Sequence, residues 1–428
     1  MKQAKKVDAQ TALSVVKDGD TVAIGHACCE PQHLVRALCA RNGELKDIRT
    51  THMVDMGEGF YTTEEASGTF RHCSLFVGGN SRKAIAEGRA DFIPVHFSRI
   101  PELFWENYVE TDVALVQVSP PDAHGWMSLG VSVDYTYAAA HCAKTVVAQV
   151  NKNCPRTHGQ SFLHVSEVDY LVEYDEPMIE LKRAALSEVD RKIGQNCARL
   201  VRDGDTLQLG IGSLPDAVLA SLMDKNDLGI HSEMFSDGVA ELARAGVITN
   251  RRKNYMRGKY VATFLMGSRK LYDFVDDNPA VFMAPADYTN DPYVIGQNDN
   301  LVSINSCIEI DLTGQVCAES AGLRQISSTG GQVDFIRGAA LSKGGRAIIA
   351  MPSTTKDGKT SKIVAALQYG GTVTSLRTDV SYVATEYGIA NLKGKTARER
   401  GRELIGIAHP DFRDALIEEW EKRHRMKF

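Results

Sequence analysis

One carboxylate, Glu233, stands where reactive chemistry is easiest to build. Leu228-Gly229-Ile230-His231-Ser232-Glu233 reads as a short buried strand and Met234-Phe235-Ser236-Asp237-Gly238 as a turn. Val239–Ala245 then reads as a helix that Ser236 or Asp237 would cap. Glu233 is thereby expected at the carboxyl end of a strand, where parallel α/β sheets gather their ligands. A carboxylate in that place can act as a covalent nucleophile toward an activated acyl group. The competing reading is a structural acid, solvated or ion-paired, which is the commoner role of a glutamate.

Other residues could serve the same reaction. Two glycine loops offer backbone N–H groups: Gly210-Ile211-Gly212-Ser213-Leu214-Pro215, and Ser328-Thr329-Gly330-Gly331 ahead of a helix-like Val333–Ala340. Glycine lets the backbone approach a ligand, and helix N-termini favour anions. A donor aimed at a tetrahedral oxyanion is worth roughly 3 kcal/mol. The alternative for each loop is a plain strand-to-helix turn. Asn305 either hydrogen-bonds a reacting carbonyl or satisfies nearby backbone. Gln117, at the end of a predicted strand, either lines an acyl pocket or faces solvent. Glu386 either orients a partner or pairs with Lys395 or Arg398. His231 also reads as a buried donor. His26-Ala27-Cys28-Cys29-Glu30 gathers ligand-type side chains, but no second cluster at metal spacing joins it, so no metal site is predicted.

These residues must be positioned by a framework, and the chain states that framework twice. Val16-Lys17-Asp18-Gly19-Asp20-Thr21-Val22 reads like Val201-Arg202-Asp203-Gly204-Asp205-Thr206-Leu207, 185 residues later. A glycine-containing loop, a proline (Pro31, Pro215) and an apolar-periodic run follow each copy. A second echo runs from Val116-Gln117-Val118 with Asp122 and Gly125 to Ile308-Glu309-Ile310 with Asp311 and Gly314. Asp and Gly three apart fit a tight turn after a strand. Strands alternating with helices predict an α/β fold of two similar open domains with mainly parallel sheets. The expected domains are 1–185 and 186–428, with Glu233 in the second and the active site in a cleft between them. The first-half counterpart of Glu233 falls near His52, in Thr51-His52-Met53, and carries no carboxylate.

Bulk composition narrows the classes. The 428 residues are 43% hydrophobic and 24% charged, an ordinary globular balance. A net charge of −5 argues against a general nucleic-acid or anionic-membrane binder. No apolar run reaches membrane-spanning length, and the start Met1-Lys2-Gln3-Ala4-Lys5-Lys6 shows no secretory h-region. Nine cysteines without a CxxC spacing read as free thiols in a cytoplasmic protein.

Segments along nearly the whole chain resemble one family. His231-Ser232-Glu233-Met234-Phe235-Ser236-Asp237-Gly238 resembles the catalytic segment of the acetyl-CoA hydrolase/transferase family. Val118-Ser119-Pro120-Pro121-Asp122-Ala123-His124-Gly125 and Gly330-Gly331-Gln332-Val333-Asp334-Phe335 resemble it too. So do Thr385-Glu386-Tyr387-Gly388 and Ile407-Ala408-His409-Pro410-Asp411-Phe412-Arg413, in family order. The likeness is greatest to the branch of 4-hydroxybutyrate and butyryl-CoA:acetate CoA-transferases. The resemblance implies that Glu233 is the nucleophile of a ping-pong CoA transfer between a short-chain acyl-CoA and acetate or a similar acid. It makes coenzyme A a substrate and requires no permanent cofactor. It also implies that Asn305, Gly331, Gln117 and Glu386 serve the acyl pocket. Gly210 through Leu214, Gly330, Gly331 and a lysine such as Lys356 or Lys362 would meet CoA. A homodimer or a dimer of dimers is implied as well. Where the family more often has small residues, Cys28 and Cys29 stand.

Alternatives remain. An acyl-CoA hydrolase or a non-catalytic acyl-CoA sensor would share this scaffold. A nicotinamide-dependent oxidoreductase would use Gly210-Ile211-Gly212 with an acid 23 residues on, although Pro215 stands where a third glycine belongs. A zinc deaminase is excluded because His231-Ser232-Glu233 has no downstream Pro-Cys-x-x-Cys.

Overall fold

The structure, a computed structural model, describes residues 3–428. The chain forms two compact units: the residues through Lys182 with Tyr260–Thr289, and Arg183–Lys259 with Asn290–Phe428. The first crossing lies close to the boundary expected at 185. The excursion Tyr260–Thr289 departs from that expectation, because it clusters with the first unit and not with the rest of 186–428. Its backbone explains why. Val133 donates to Thr263 O at 3.0 Å, Leu265 to Val131 O at 2.8 Å, Leu181 to Gly267 O at 2.9 Å and Met283 to His158 O at 2.8 Å. At Gly159 (φ +108°) a Cβ would sit 2.3 Å from Met283 O, so only glycine admits this approach.

The first unit is built on eight strands: β1 (Lys5–Lys6), β2 (Thr21–Ile24), β3 (Ile48–His52), β4 (Phe70–Ser74), β5 (Ala90–Phe92), β6 (Val113–Val118), β7 (Thr145–Val150) and β8 (Tyr170–Glu173). Their order is β1-β8-β7-β6-β2-β3-β4-β5, and every neighbouring pair is parallel. β6, Val-Ala-Leu-Val-Gln-Val, is buried throughout, as a central parallel strand covered on both faces must be. Leu34 and Leu38 of helix α1 (Gln32–Cys39) pack with Val22, Ile24, Val113 and Leu115 in the core.

The second unit carries six strands: β9 (Thr206–Leu209), β10 (Gly229–Ile230), β11 (Leu301–Asn305), β12 (Arg346–Ala350), β13 (Tyr382–Thr385) and β14 (Gly388–Asn391). Their order is β10-β9-β11-β12-β13-β14, parallel except for the final hairpin. The expected α/β class with mainly parallel sheets holds. Both sheets contain five strands in the same connection order: β3-β2-β6-β7-β8 in one and β10-β9-β11-β12-β13 in the other.

The echoed turns are the same turns. Asp20 Oδ2 accepts from Lys17 N at 2.8 Å, and Asp205 Oδ2 accepts from Arg202 N at 2.6 Å. Asp122 Oδ1 takes the N–H groups of His124 and Trp126, and Asp311 Oδ1 those of Thr313 and Gln315. The second echo differs in setting. Asp122 follows β6 of the main sheet, whereas Glu309–Asp311 belongs to a separate three-stranded sheet. At the amino edge of the second sheet, the buried Arg346 joins β12 to Asp205 at 2.7 Å and to Leu200 O at 2.6 Å. That edge is fastened, and the opposite edge is left for chemistry.

Candidate active site

Four neighbouring strands of the second sheet deliver the candidate residues at their carboxyl ends. Gly210 follows β9, Asn305 ends β11, Ser353 comes three residues after β12, and Glu386 follows β13. Glu233 belongs to the same edge, beyond β10. The strand expected to run to Glu233 stops at Ile230, and Glu233 occupies a bend. Side chains bond the backbone here, Asn250 and Lys253 along the outer edge of β10 and Ser232 toward β9. Ile230 N donates to Asn250 Oδ1 at 2.8 Å, and Ile230 O accepts from Lys253 Nζ at 2.8 Å. The Ser232 hydroxyl donates to Leu209 O at 3.1 Å and accepts from Leu209 N at 3.3 Å. The last backbone bond of this ladder is His231 N to Leu207 O at 3.2 Å, and beyond it Ser232 takes the Leu209 N–H.

Glu233 is half-buried. Its Oε2 accepts from Asn290 Nδ2 at 2.7 Å. A Cβ built on Gly331 would lie 1.8 Å from the same oxygen, so glycine is obligatory there while the carboxylate keeps its place. Gly331 is the N-cap of a ten-residue helix (Gln332–Leu341), close to the expected Val333–Ala340, and a helix N-terminus favours negative charge. The structure therefore brings Glu233 together with Gly331, one of the expected pocket residues, and with Asn290, which the sequence reading missed. Asn290 is fully buried in Thr289-Asn290-Asp291-Pro292. Locally that run reads only as a turn before a helix.

The remaining candidates separate. A Cβ placed on Gly210 or Gly212 would meet nothing within 4 Å, so their loop faces open space, and Gly212 (φ +107°) caps a helix over Ser213–Ala220. Ile211 is exposed, Leu214 is buried, and Ser213 Oγ points to Asp190 Oδ1 at 3.3 Å. Asn305 pairs with other side chains and not with backbone: its Nδ2 donates to Gln208 Oε1 at 3.1 Å and to Ser303 Oγ at 2.9 Å. Glu386 pairs with neither Lys395 nor Arg398. It accepts from Ser353 N at 2.9 Å and Ser353 Oγ at 2.5 Å, which fixes the loop after β12, while Lys395 takes Glu403. Gln117 is buried in the first unit and does not face solvent. Its Oε1 accepts from Gln149 and Asn151, and its Nε2 lies 3.4 Å from Met178 Sδ. Lys362 donates to Cys307 O at 2.9 Å, whereas Lys356 is exposed.

His231 is buried, with Nδ1 3.2 Å from Asn298 Nδ2. An amide N–H facing Nδ1 makes that nitrogen the acceptor and leaves the ring proton on Nε2. Ser236 occupies the N-cap of the helix Asp237–Arg244 but makes no cap bond; its hydroxyl turns to Asp216 Oδ1 at 3.5 Å. Lys253 is buried with only carbonyl partners, Ile230 O and Lys259 O, and burial pulls its pKa down to about 7. Among the described residues no group of three or more His, Cys, Asp and Glu is placed to hold a metal, and no helix is long and apolar enough to cross a membrane.

Comparison with known proteins places the chain among relatives along nearly its whole length. Models of the acetyl-CoA hydrolase/transferase N-terminal and C-terminal domains match residues 2–181 and 267–420. The chain is 56% identical over 419 residues to a 4-hydroxybutyrate coenzyme A transferase of Clostridium kluyveri, covering 98% of each. It is 40% identical to the butyryl-CoA:acetate CoA-transferase of Anaerostipes caccae, covering 98% of this chain and 96% of that one. RipA from Yersinia pestis superimposes with a TM-score of 0.93 at 39% identity, over 98% of both chains. A 4-hydroxybutyrate CoA-transferase from Porphyromonas gingivalis does so with a TM-score of 0.84 at 43% identity, also over 98% of both.

Proposed function

The chain belongs to the acetyl-CoA hydrolase/transferase family, and on that premise we propose that it transfers coenzyme A between a short-chain acyl-CoA and acetate or a similar carboxylate. The 56% identity to a 4-hydroxybutyrate enzyme favours 4-hydroxybutyryl-CoA as donor, with butyryl-CoA second. The observation that carries the reading is the hold on Glu233: one oxygen bonded to Asn290 and pressed against the glycine that heads a helix.

Glu233 attacks the thioester carbonyl, the C–S bond breaks, and a mixed anhydride and CoA thiolate result. The thiolate then attacks the glutamyl carbonyl and expels the first acid as its carboxylate, leaving a glutamyl-CoA thioester. An incoming carboxylate repeats the two steps in reverse. In the thioester, Oε2 is the carbonyl oxygen, so the Asn290 amide that orients the carboxylate also donates to the oxyanion formed on it. Such a donor is worth roughly 3 kcal/mol. The exposed Gly210–Gly212 loop and Lys356 are the elements free to meet the nucleotide end of CoA. A hydrolase would use the same Glu233 and differ only in admitting water.

The test is direct. Enzyme incubated with acyl-CoA and then treated with borohydride should carry a modified Glu233 by peptide mass spectrometry. Labelled acetate should appear in acyl-CoA faster than free thiol accumulates. A CoA adduct on another residue, or hydrolysis with no label incorporated, overturns the proposal.

A further inference from the structure

Two cysteines far apart in sequence meet inside the first unit. Cys29 closes a short turn, Ala27–Cys29, after β2, and Cys154 follows β7. Their sulfurs are 3.8 Å apart, and both residues are buried. Strand order sets β6 between β7 and β2, so the two loops reach toward each other across the end of β6. The meeting is arranged and not incidental. Gly130 (φ +63°) vacates the space beneath it, since a Cβ there would lie 2.3 Å from Cys154 Sγ and 3.2 Å from Cys29 Sγ. The turn bearing Cys29 is held with Ala27 at φ +50°, a backbone state that L-residues avoid.

We propose that Cys29 and Cys154 form an oxidisable thiol pair that hydrogen peroxide, or another small uncharged peroxide, converts to an internal disulfide. An S–S bond of about 2.05 Å needs the sulfurs to close by roughly 1.8 Å. Cys29 is the first to react. Its sulfur faces the Cys154 thiol and the Gln117 amide at 3.9 Å, and these donors lower its pKa against the opposing effect of burial, while the Cys154 thiol is raised. The Cys29 thiolate attacks one peroxide oxygen, the O–O bond breaks, and hydroxide leaves to become water. Cys154 then attacks the resulting sulfenic sulfur, forming S–S and releasing a second water. Two thiols lose two electrons, and one peroxide gains them.

The neighbouring cysteines sharpen the claim. Cys28 is adjacent in sequence, but burial pushes its thiol up to about 11 and its partner is the Tyr272 side chain. Cys73 and Cys142 are more exposed and have no cysteine partner among the bonds of the structure.

The experiment reads mass and thiol count, so it stands apart from the transferase reading. Reduced, desalted protein is treated with hydrogen peroxide, quenched with catalase, alkylated in denaturant and digested with trypsin. The expected product joins Asp18–Arg36 to Asn153–Arg156, two hydrogens lighter than the sum of the peptides and separated by dithiothreitol. Titratable thiols fall from nine to seven. C29S and C154S abolish the joined peptide, and C28S retains it. Recovery of Cys29 and Cys154 both alkylated while Cys73 or Cys142 is oxidised overturns the proposal. So does a cross-link that survives in C29S.

Discussion

The two sheets share a strand order and a set of aspartate turns, yet their carboxyl edges are finished in opposite ways. In the first unit the edge is filled. His26, Glu30, His52, Gln117 and Asn151 are all buried, and each is bonded within the unit: His26 to Asp134, Glu30 to Gly57 N, His52 to Tyr61 and Gln117 to Asn151. In the second unit the edge is left open. Gly210 and Gly212 face unoccupied space, and Glu233 and Asn305 are half-buried. The positions of His52 and Glu233 state the contrast most sharply. His52 ends its strand in full ladder register and sets its Nδ1 2.6 Å from the Tyr61 hydroxyl. Glu233 lies past a strand end where the Ser232 hydroxyl takes the Leu209 N–H in place of a backbone carbonyl. The same topology therefore carries a packed edge in one unit and an open one in the other, according to which side chains stand at the strand ends.

The largest test of this contrast removes the open-edge carboxylate. Glu233→Gln should lower kcat for CoA transfer by about a thousandfold or more, as loss of a covalent nucleophile does, with the circular dichroism spectrum unchanged. Activity within tenfold of the parent would mean the reactive edge lies elsewhere. Next comes the glycine against it. Gly331→Ala should cost about a hundredfold in kcat by displacing the carboxylate, because small misplacements of reacting groups carry losses of that order. Gly210→Ala, with free space around it and an ordinary φ, should leave folding untouched, and a melting temperature that drops only for Gly210→Ala would invert this ranking.

Burial neutralises an acid in one unit and a base in the other, which makes the comparison readable by pH. Burial raises Glu30 to about 7, although it accepts from Gly57 N at 2.9 Å. Its folded pKa exceeds its unfolded one, so its contribution is present below about 4.5 and is lost as pH rises toward 7. Lys253, lowered to about 7, behaves oppositely: its contribution is present above about 10.4 and is lost as pH falls toward 7. Glu30→Gln should flatten the acid-side slope of stability, and Lys253→Met the alkaline-side slope, each by up to about 1.4 kcal/mol per pH unit. Chemical denaturation from pH 5 to 10 checks both, and unchanged slopes would show that these groups keep their charge. The smallest effect belongs to the surface. Lys356→Ala should raise KM for acyl-CoA by a few fold, the worth of one exposed ion pair, with kcat unchanged. Lys362→Ala should act on stability instead, since its ammonium is committed to Cys307 O.

What the sequence made legible was local. The aspartate turns depend on side-chain bonds two and four residues on, so both copies could be read from spacing alone. Glu233 and Gly331 stood out because each sits in a motif near the end of an element. Asn290 did not, because its contact with Glu233 joins positions 57 residues apart and depends on how the chain is routed. Glu386 was legible as special but not as the partner of Ser353, 33 residues earlier on a neighbouring strand end. The excursion Tyr260–Thr289 escaped for the same reason: its strand-helix-strand grammar is indistinguishable from that of the unit it leaves.

That excursion has a consequence for how the protein is made. The first unit is completed only by residues 260–289, so a nascent chain that has just passed residue 182 lacks the segment that pairs with Val131, Val133 and His158. By the time that segment is synthesised, residues 183–259 have already emerged, without the residues after 289 that complete their own sheet. Neither unit can finish before the other has begun. The first unit can close only once residue 289 has emerged, and a cut at residue 185 would leave the segment that completes it on the other fragment.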